Sequence, residues 1–145
     1  MVELQKDIPF LLKAEEPEEH CLSLRLAFPC RAEDAEQEET LTAILADATP
    51  LCPNEEQYEI RFEHYILYQI RNESYASWAP DETATGDFLK VFEKSHLLDT
   101  LQLFTDCQIC EDGSYYPGKW QHYGIFCQNH IVDVIACEEP AIIRE

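Results

Sequence analysis

The chain is poor in glycine and in positive charge. Its four glycines, Gly86, Gly113, Gly118 and Gly124, are scattered over 145 residues. They form no Gly-rich loop of the kind that wraps a phosphate, and no Gly-x-Ser-x-Gly elbow seats a nucleophile. No apolar run approaches the roughly 18 residues that a membrane-spanning helix needs. Internal repeats and low-complexity tracts are lacking too, which excludes solenoids and arrays. Lys and Arg together number 10 against 29 Asp and Glu, a formal net charge of −19. Such a field repels nucleic acid and anionic membranes, because both are polyanionic. It attracts basic proteins and speeds their encounter. It also exceeds the magnitude of about 2–8 usual for a soluble small domain.

Aliphatic and aromatic residues are plentiful enough for one hydrophobic core, so residues 1–145 are read as a single folded domain. The opening segment, MVELQKDIPFLLKAEEPEEH, does not read as a secretory signal. Its apolar patch from Ile8 to Leu12 is short, contains Pro9 and runs into glutamates. A cytoplasmic location is therefore expected. The seven cysteines, an odd number, are expected to be reduced thiols there.

Hydrophobic periodicity gives the expected elements. EEPEEH, Glu15 to His20, reads as an acidic loop around Pro17. HCLSLRLAF follows with Leu22, Leu24, Leu26 and Phe28 alternating, the period of a strand. Asp34 has the position of a helix N-cap with Gln37 three residues on, and a helix is expected from there to Ala48. YEIRFEHYILYQIRN reads as one long central strand with Tyr58, Ile60, Phe62, His64, Ile66, Tyr68 and Ile70 on its apolar face. ESYASWA and FLKVFEK read as further strands, with PDETATGD a loop between them. Ser95 caps a short helix whose stripe is Leu97, Leu98, Leu101 and Phe104. KWQHYGIFC and HIVDVIA read as strands, either paired through Gln128 and Asn129 or forming one bent strand, and Ala141 to Ile143 as an edge. Strands and helices are partly segregated, so the expected class is α+β, a mainly antiparallel sheet with two or three helices packed on it.

Two groups of residues invite a chemical reading. Cys107-x-x-Cys110, Cys127 and His130 make a Cys3His set, the donor types of a structural zinc site. The spacing is poor for zinc, because the closing pair is not presented by one turn or helix. A redox role needs a thiol at a helix N-terminus, whereas Cys107 follows a helix. The expectation is therefore no metal, no cofactor and no catalytic residues, with the Cys3His metal domain as the alternative. His64 reads as a core histidine. Asp133 reads as a solvent-facing strand position or the partner of a nearby arginine, with an acid in a binding face as its functional reading.

The second group is acidic. Glu33, Asp34, Glu36, Glu38 and Glu39 open the first helix, where carboxylates also favour the helix dipole. Glu111 and Asp112 stand beside Tyr115, Tyr116 and Trp120, residue types that anchor interfaces. These ten are the candidate partner-binding residues. The aromatics could equally fold back on the core.

The small acidic chain, with segments HYILYQIRNESY, FEKSHLLDTL and HYGIFCQNHIVDVIACEEPAI, resembles the immunity proteins of bacterial polymorphic and contact-dependent toxin systems. That resemblance implies a cytoplasmic protein, not an enzyme, that binds and neutralises a cognate toxin domain, often a basic nuclease. It assigns no contact residue by position. An acidic adaptor without a toxin partner is the other binding-module reading.

Overall fold

The computed structural model describes residues 8–28, 56–77 and 79–144. Eleven β-strands lie among the described residues: β1 Phe10–Glu18, β2 Cys21–Ala27, β3 Gln57–Phe62, β4 Leu67–Asn72, β5 Thr83–Gly86, β6 Leu89–Lys94, β7 Gln108–Ile109, β8 Tyr115–Tyr116, β9 Gln121–Phe126, β10 His130–Ala136 and β11 Ala141–Arg144. The described α-helix, α1, spans His96–Phe104, and Glu73–Tyr75 forms a single 3-10 turn. Strand accounts for 54% of the described residues and helix for 11%. The expected α+β class with two or three helices is thus overturned in favour of a β-rich fold. Its physical reason is that apolar alternation of period two dominates almost every described segment. The helix expected from Asp34 to Ala48 lies outside the described residues.

Two antiparallel sheets, in orders β1-β2-β3-β11 and β4-β10-β9-β6-β5, enclose the main core. Leu22, Leu24, Leu26, Tyr58, Ile60 and Phe62 from the first sheet meet Tyr123, Ile125, Val132 and Val134 from the second. This is sheet-on-sheet packing, each inner face supplied by alternate residues of its strands. A second cluster, Leu101, Cys107, Trp120 and Ile135, seals α1 onto the opposite face of the five-stranded sheet. None of the helices among the described residues is long and apolar enough to cross a membrane.

Several elements depart from their sequence pattern. The segment around Pro17 is strand, not loop. It forms the far end of β1, an edge strand whose register shifts between Glu15 and Glu18. Charge, proline and bulges are the usual protections of a sheet edge. The long strand expected from Tyr58 to Ile70 is two. β3 lies inside the first sheet and β4 at the edge of the second. His64 takes φ 51 at the crossing and is exposed, so it is not a core histidine. Below it, Tyr65 N–H donates to His20 O and Ile66 N–H to Ile135 O. In ESYASWA, Glu73–Tyr75 forms the 3-10 turn rather than a strand, with Asn72 Oδ1 accepting from Ser74 N–H, and Trp78 lies outside the described residues. Thr83–Gly86, read as loop, pairs with β6. Of the two readings of KWQHYGIFC and HIVDVIA, the hairpin through Gln128 and Asn129 is the one that forms, and β11 is an edge paired to β3.

Candidate functional site

Alternation along the central strands puts a polar set on the helix-bearing face of the five-stranded sheet. In β10, Val132, Val134 and Ala136 enter the main core, which turns Ile131, Asp133 and Ile135 to the other side. In β9, Tyr123 and Ile125 point inward, so His122, Gly124 and Phe126 point outward. Gly124 is directly opposite Asp133, and His122 is two residues along, opposite Ile135. On the other flank Asp133 faces Gln69 of β4, with Arg71 on the same side. Diagonal neighbours of this kind are within reach of long side chains.

Asp133 is buried and its carboxylate is fully engaged. His122 Nε2 lies 2.8 Å from Oδ1, and Gln69 Nε2 and Arg71 Nε donate to Oδ2 at 3.0 and 3.1 Å. Burial alone would raise the acid's pKa. The hydrogen bonds from His122 and Gln69 and the charge of Arg71 outweigh it and hold the carboxyl below its ordinary value. The other ring nitrogen, His122 Nδ1, is 2.7 Å from Ser95 Oγ. Ser95 is also the N-cap of α1, its Oγ accepting from Leu98 N–H at 3.1 Å. One tautomer satisfies every partner: Nε2–H donates to Asp133, and Ser95 O–H donates to Nδ1. Phe92 stacks on the imidazole, ring centroids 4.2 Å apart and planes 12° apart.

A serine, a histidine and an aspartate in line invite comparison with a hydrolytic triad. In such a triad the hydroxyl must reach a substrate. Ser95 is fully buried, caps a helix and does not line the neighbouring cavity. Its hydroxyl is committed to holding α1 against β9.

Above this network lies an open cavity of about 330 Å³. Asp133, His122, Phe92 and Phe126 form part of its lining, as do Arg71 and Glu73 on one side and Glu82 and His96 on the other. The wall at α1 is fixed by Glu82, which accepts from His96 N–H at 3.0 Å, and by Asp81, 3.1 Å from His96 Nε2. The hydrogen bond and charge of Asp81 raise the pKa of His96, and His96 in turn lowers that of Asp81.

The other end of α1 carries a different surface. Leu103 is 82% exposed, Phe104 62%, Tyr116 54% and Ile109 50%. Phe104 was expected in the buried stripe, but Leu101 alone of that helix is buried. The hairpin β7–β8 packs beside the helix end. Ile109 N–H donates to Gln102 Oε1 at 3.2 Å, and Thr105 Oγ1 bonds both Leu101 O and Cys107 N–H. A groove between them is lined by Gln102, Asp106, Gln108 and Tyr116. Exposed Asp99, Asp106, Glu111 and Asp112 belong to these same segments, with Lys119 the positive exception. Exposed apolar residues interspersed with charged ones on adjoining segments are the usual make-up of a protein-binding surface.

The structure separates the ten candidate partner residues. Glu33, Asp34, Glu36, Glu38 and Glu39 lie outside the described residues. Glu111, Asp112 and Tyr116 are exposed. Asp112 also has a local task, because its Oδ1 accepts from Ser114 N–H and Oγ–H and closes the hairpin turn. Trp120 is buried in the second core cluster with Tyr115 edge-on to it at 4.8 Å, so these two fold back on the core. Asp133 is buried rather than solvent-facing, and Arg71 is the arginine partner expected for it; missing from the sequence reading were Leu103 and Ile109, and the pairing of Gln69 and His122 with Asp133. A lone carboxylate inside HIVDVIA was the available signal for the latter.

The Cys3His set is not brought together. Cys107 belongs to the second core cluster and Cys127 to the first, and no group of three or more metal-binding side chains occurs among the described residues. Burial pushes the Cys127 thiol up to about 12, which disfavours the thiolate a metal needs. Compared with known proteins, the chain matches no family profile, no curated protein and no solved structure.

Proposed function

We propose that the protein is a binding module for a basic protein partner, of the toxin-neutralising immunity class, and that the α1–β7–β8 face is its docking surface. The observation that carries this reading is the exposed apolar group Leu103, Phe104, Ile109 and Tyr116 set among Asp99, Asp106, Glu111 and Asp112. Apolar anchors supply the desolvated centre of an interface, and acids around them select a partner rich in Lys and Arg. The net charge of −19 supports the same reading, since it steers such a partner from a distance. Location in the cytoplasm, where a toxin domain would act, is part of the proposal.

Co-expression with a basic toxin-like domain, should the reading frame beside this chain encode one, tests it. Cells are expected to survive the toxin only when this protein is present, and the two chains to co-purify as a complex whose association rate falls as salt rises. A neighbouring domain that stays toxic and does not bind overturns the reading.

A further inference from the structure

We infer that the cavity between β4 and the N-terminal end of α1 binds a small zwitterion with an apolar arm, of the class of a free α-amino acid. Arg71 is the first reason. Its Nε is tied to Asp133 at 3.1 Å, and that carboxylate is itself immobilised by His122 and Gln69. The guanidinium is therefore held in one orientation while remaining 38% exposed on the cavity wall. Its two Nη groups have no partner among the described residues. A planar fork held from behind matches a carboxylate through two parallel hydrogen bonds.

Charge gives the second reason. Arg71 and Asp133 neutralise each other, which leaves Glu73 and Glu82 as the carboxylates of the lining. A simple anion would meet both of them. A simple cation would meet the guanidinium fork. A ligand carrying both signs satisfies both walls, its carboxylate on Arg71 and its ammonium toward the glutamates. Apolar surface on the floor comes from Phe92 and Phe126, which lie over Gly124 because that position has no side chain. A volume of about 330 Å³ suits a small molecule, being at the lower end of ligand pockets. The inference is independent of the basic-partner reading, since it uses the opposite end of α1.

The test is an NMR titration of the isotopically labelled full chain, following the Arg71 Nε–H and Gln69 side-chain signals. Three probes are compared: leucine, N-acetyl-leucine, which lacks the ammonium, and leucinamide, which lacks the carboxylate. Leucine is expected to shift both signals saturably, and each blocked compound to bind about tenfold or more weakly. Arg71→Lys, which keeps the charge and removes the fork, and the pair Glu73→Gln with Glu82→Gln are each expected to weaken leucine by a similar factor, melting temperature being checked first. Should Arg71→Lys fail to fold, the glutamate pair, which touches no buried group, still decides. Leucinamide binding as well as leucine, N-acetyl-leucine doing so, or no saturable shift with any probe overturns the inference.

Discussion

His122 Nε2 and Asp133 Oδ1 lie 2.8 Å apart on neighbouring strands, both withdrawn from water, and each is oriented by further partners. Asp133 gathers three donors from β4 and β9, while His122 passes the link to Ser95 and so to the start of α1. The network therefore ties the sheet to the helix. Asp133→Asn keeps the shape but presents an amide where a carboxylate accepted. Removing one partner from a buried charged network typically costs about 3–5 kcal/mol. Chemical denaturation of the variant should show a loss of that order with an unchanged m-value. A loss below about 1 kcal/mol would show that the carboxylate contributes little net stability.

The same group sets a pH dependence. The folded-state pKa of Asp133 lies below its unfolded value, so its stabilising contribution is present above the unfolded value, near 3.9. That contribution is lost as pH falls through the lower, folded value. Stability measured from neutral pH downward should therefore fall steeply in the acid range for the wild type. Asp133→Asn should lack this part of the slope, and the two curves should converge toward low pH. His96 moves the other way. Its pKa is raised by Asp81, so that exposed pair contributes below about 6.5 and fades as pH rises through the folded value of His96. Asp81→Asn should lower the His96 titration midpoint seen by NMR.

Gly124 is where the site meets the fold. A Cβ there would come within 2.7 Å of Phe92 and 2.8 Å of Phe126, closer than carbon atoms pack. Gly124→Ala must push one or both rings aside, and Phe92 is the ring stacked on His122. Overpacking of this kind costs about 1–3 kcal/mol. The expected readout is a lower denaturation midpoint together with displaced His122 ring resonances. Normal stability with unmoved His122 signals would mean that the rings relax freely.

How far these features could be read in advance depended on whether they were local. Strands β2, β6, β9 and β10 and the Ser95 cap were legible because each is written in a few adjacent residues. The two-sheet arrangement was not, because it depends on where the chain leaves one sheet for the other. Between Phe62 and Leu67 the alternation slips, with Tyr65, Ile66 and Leu67 apolar in succession, but no Gly, Pro or Asn marks a turn, and the crossing is made by a positive φ at His64. Pro17 read as a loop because proline is excluded from sheet interiors, yet an edge strand tolerates it. Asp133 was visible as an odd residue in an apolar run. Its partners Gln69 and Arg71 are 64 and 62 residues away, and only strand pairing brings them to it. Phe104 matched the helical stripe, but the helix ends there and the following hairpin takes its place against the sheet.

A test of the proposed docking face must separate binding from folding. Leu103 and Phe104 are largely exposed, so replacing both with Ser should change stability by no more than about 0.5 kcal/mol. Their loss should instead speed dissociation of the basic partner, because apolar anchors act on the off-rate. Glu111→Lys and Asp106→Lys should slow association and flatten its salt dependence, because charges around an interface act on the encounter. Asp112 is left unchanged in this test, since it closes the turn with Ser114 and its loss would disturb the hairpin. A parallel reversal of Glu36, Glu38 and Glu39 to Lys measures the other acidic segment. If the partner binds the Leu103–Phe104 variant as long as wild type, and binds the Glu111–Asp106 variant as fast at low salt, this face is not the interface. Slowed association in the Glu36–Glu38–Glu39 variant alone would then move the contact to that segment.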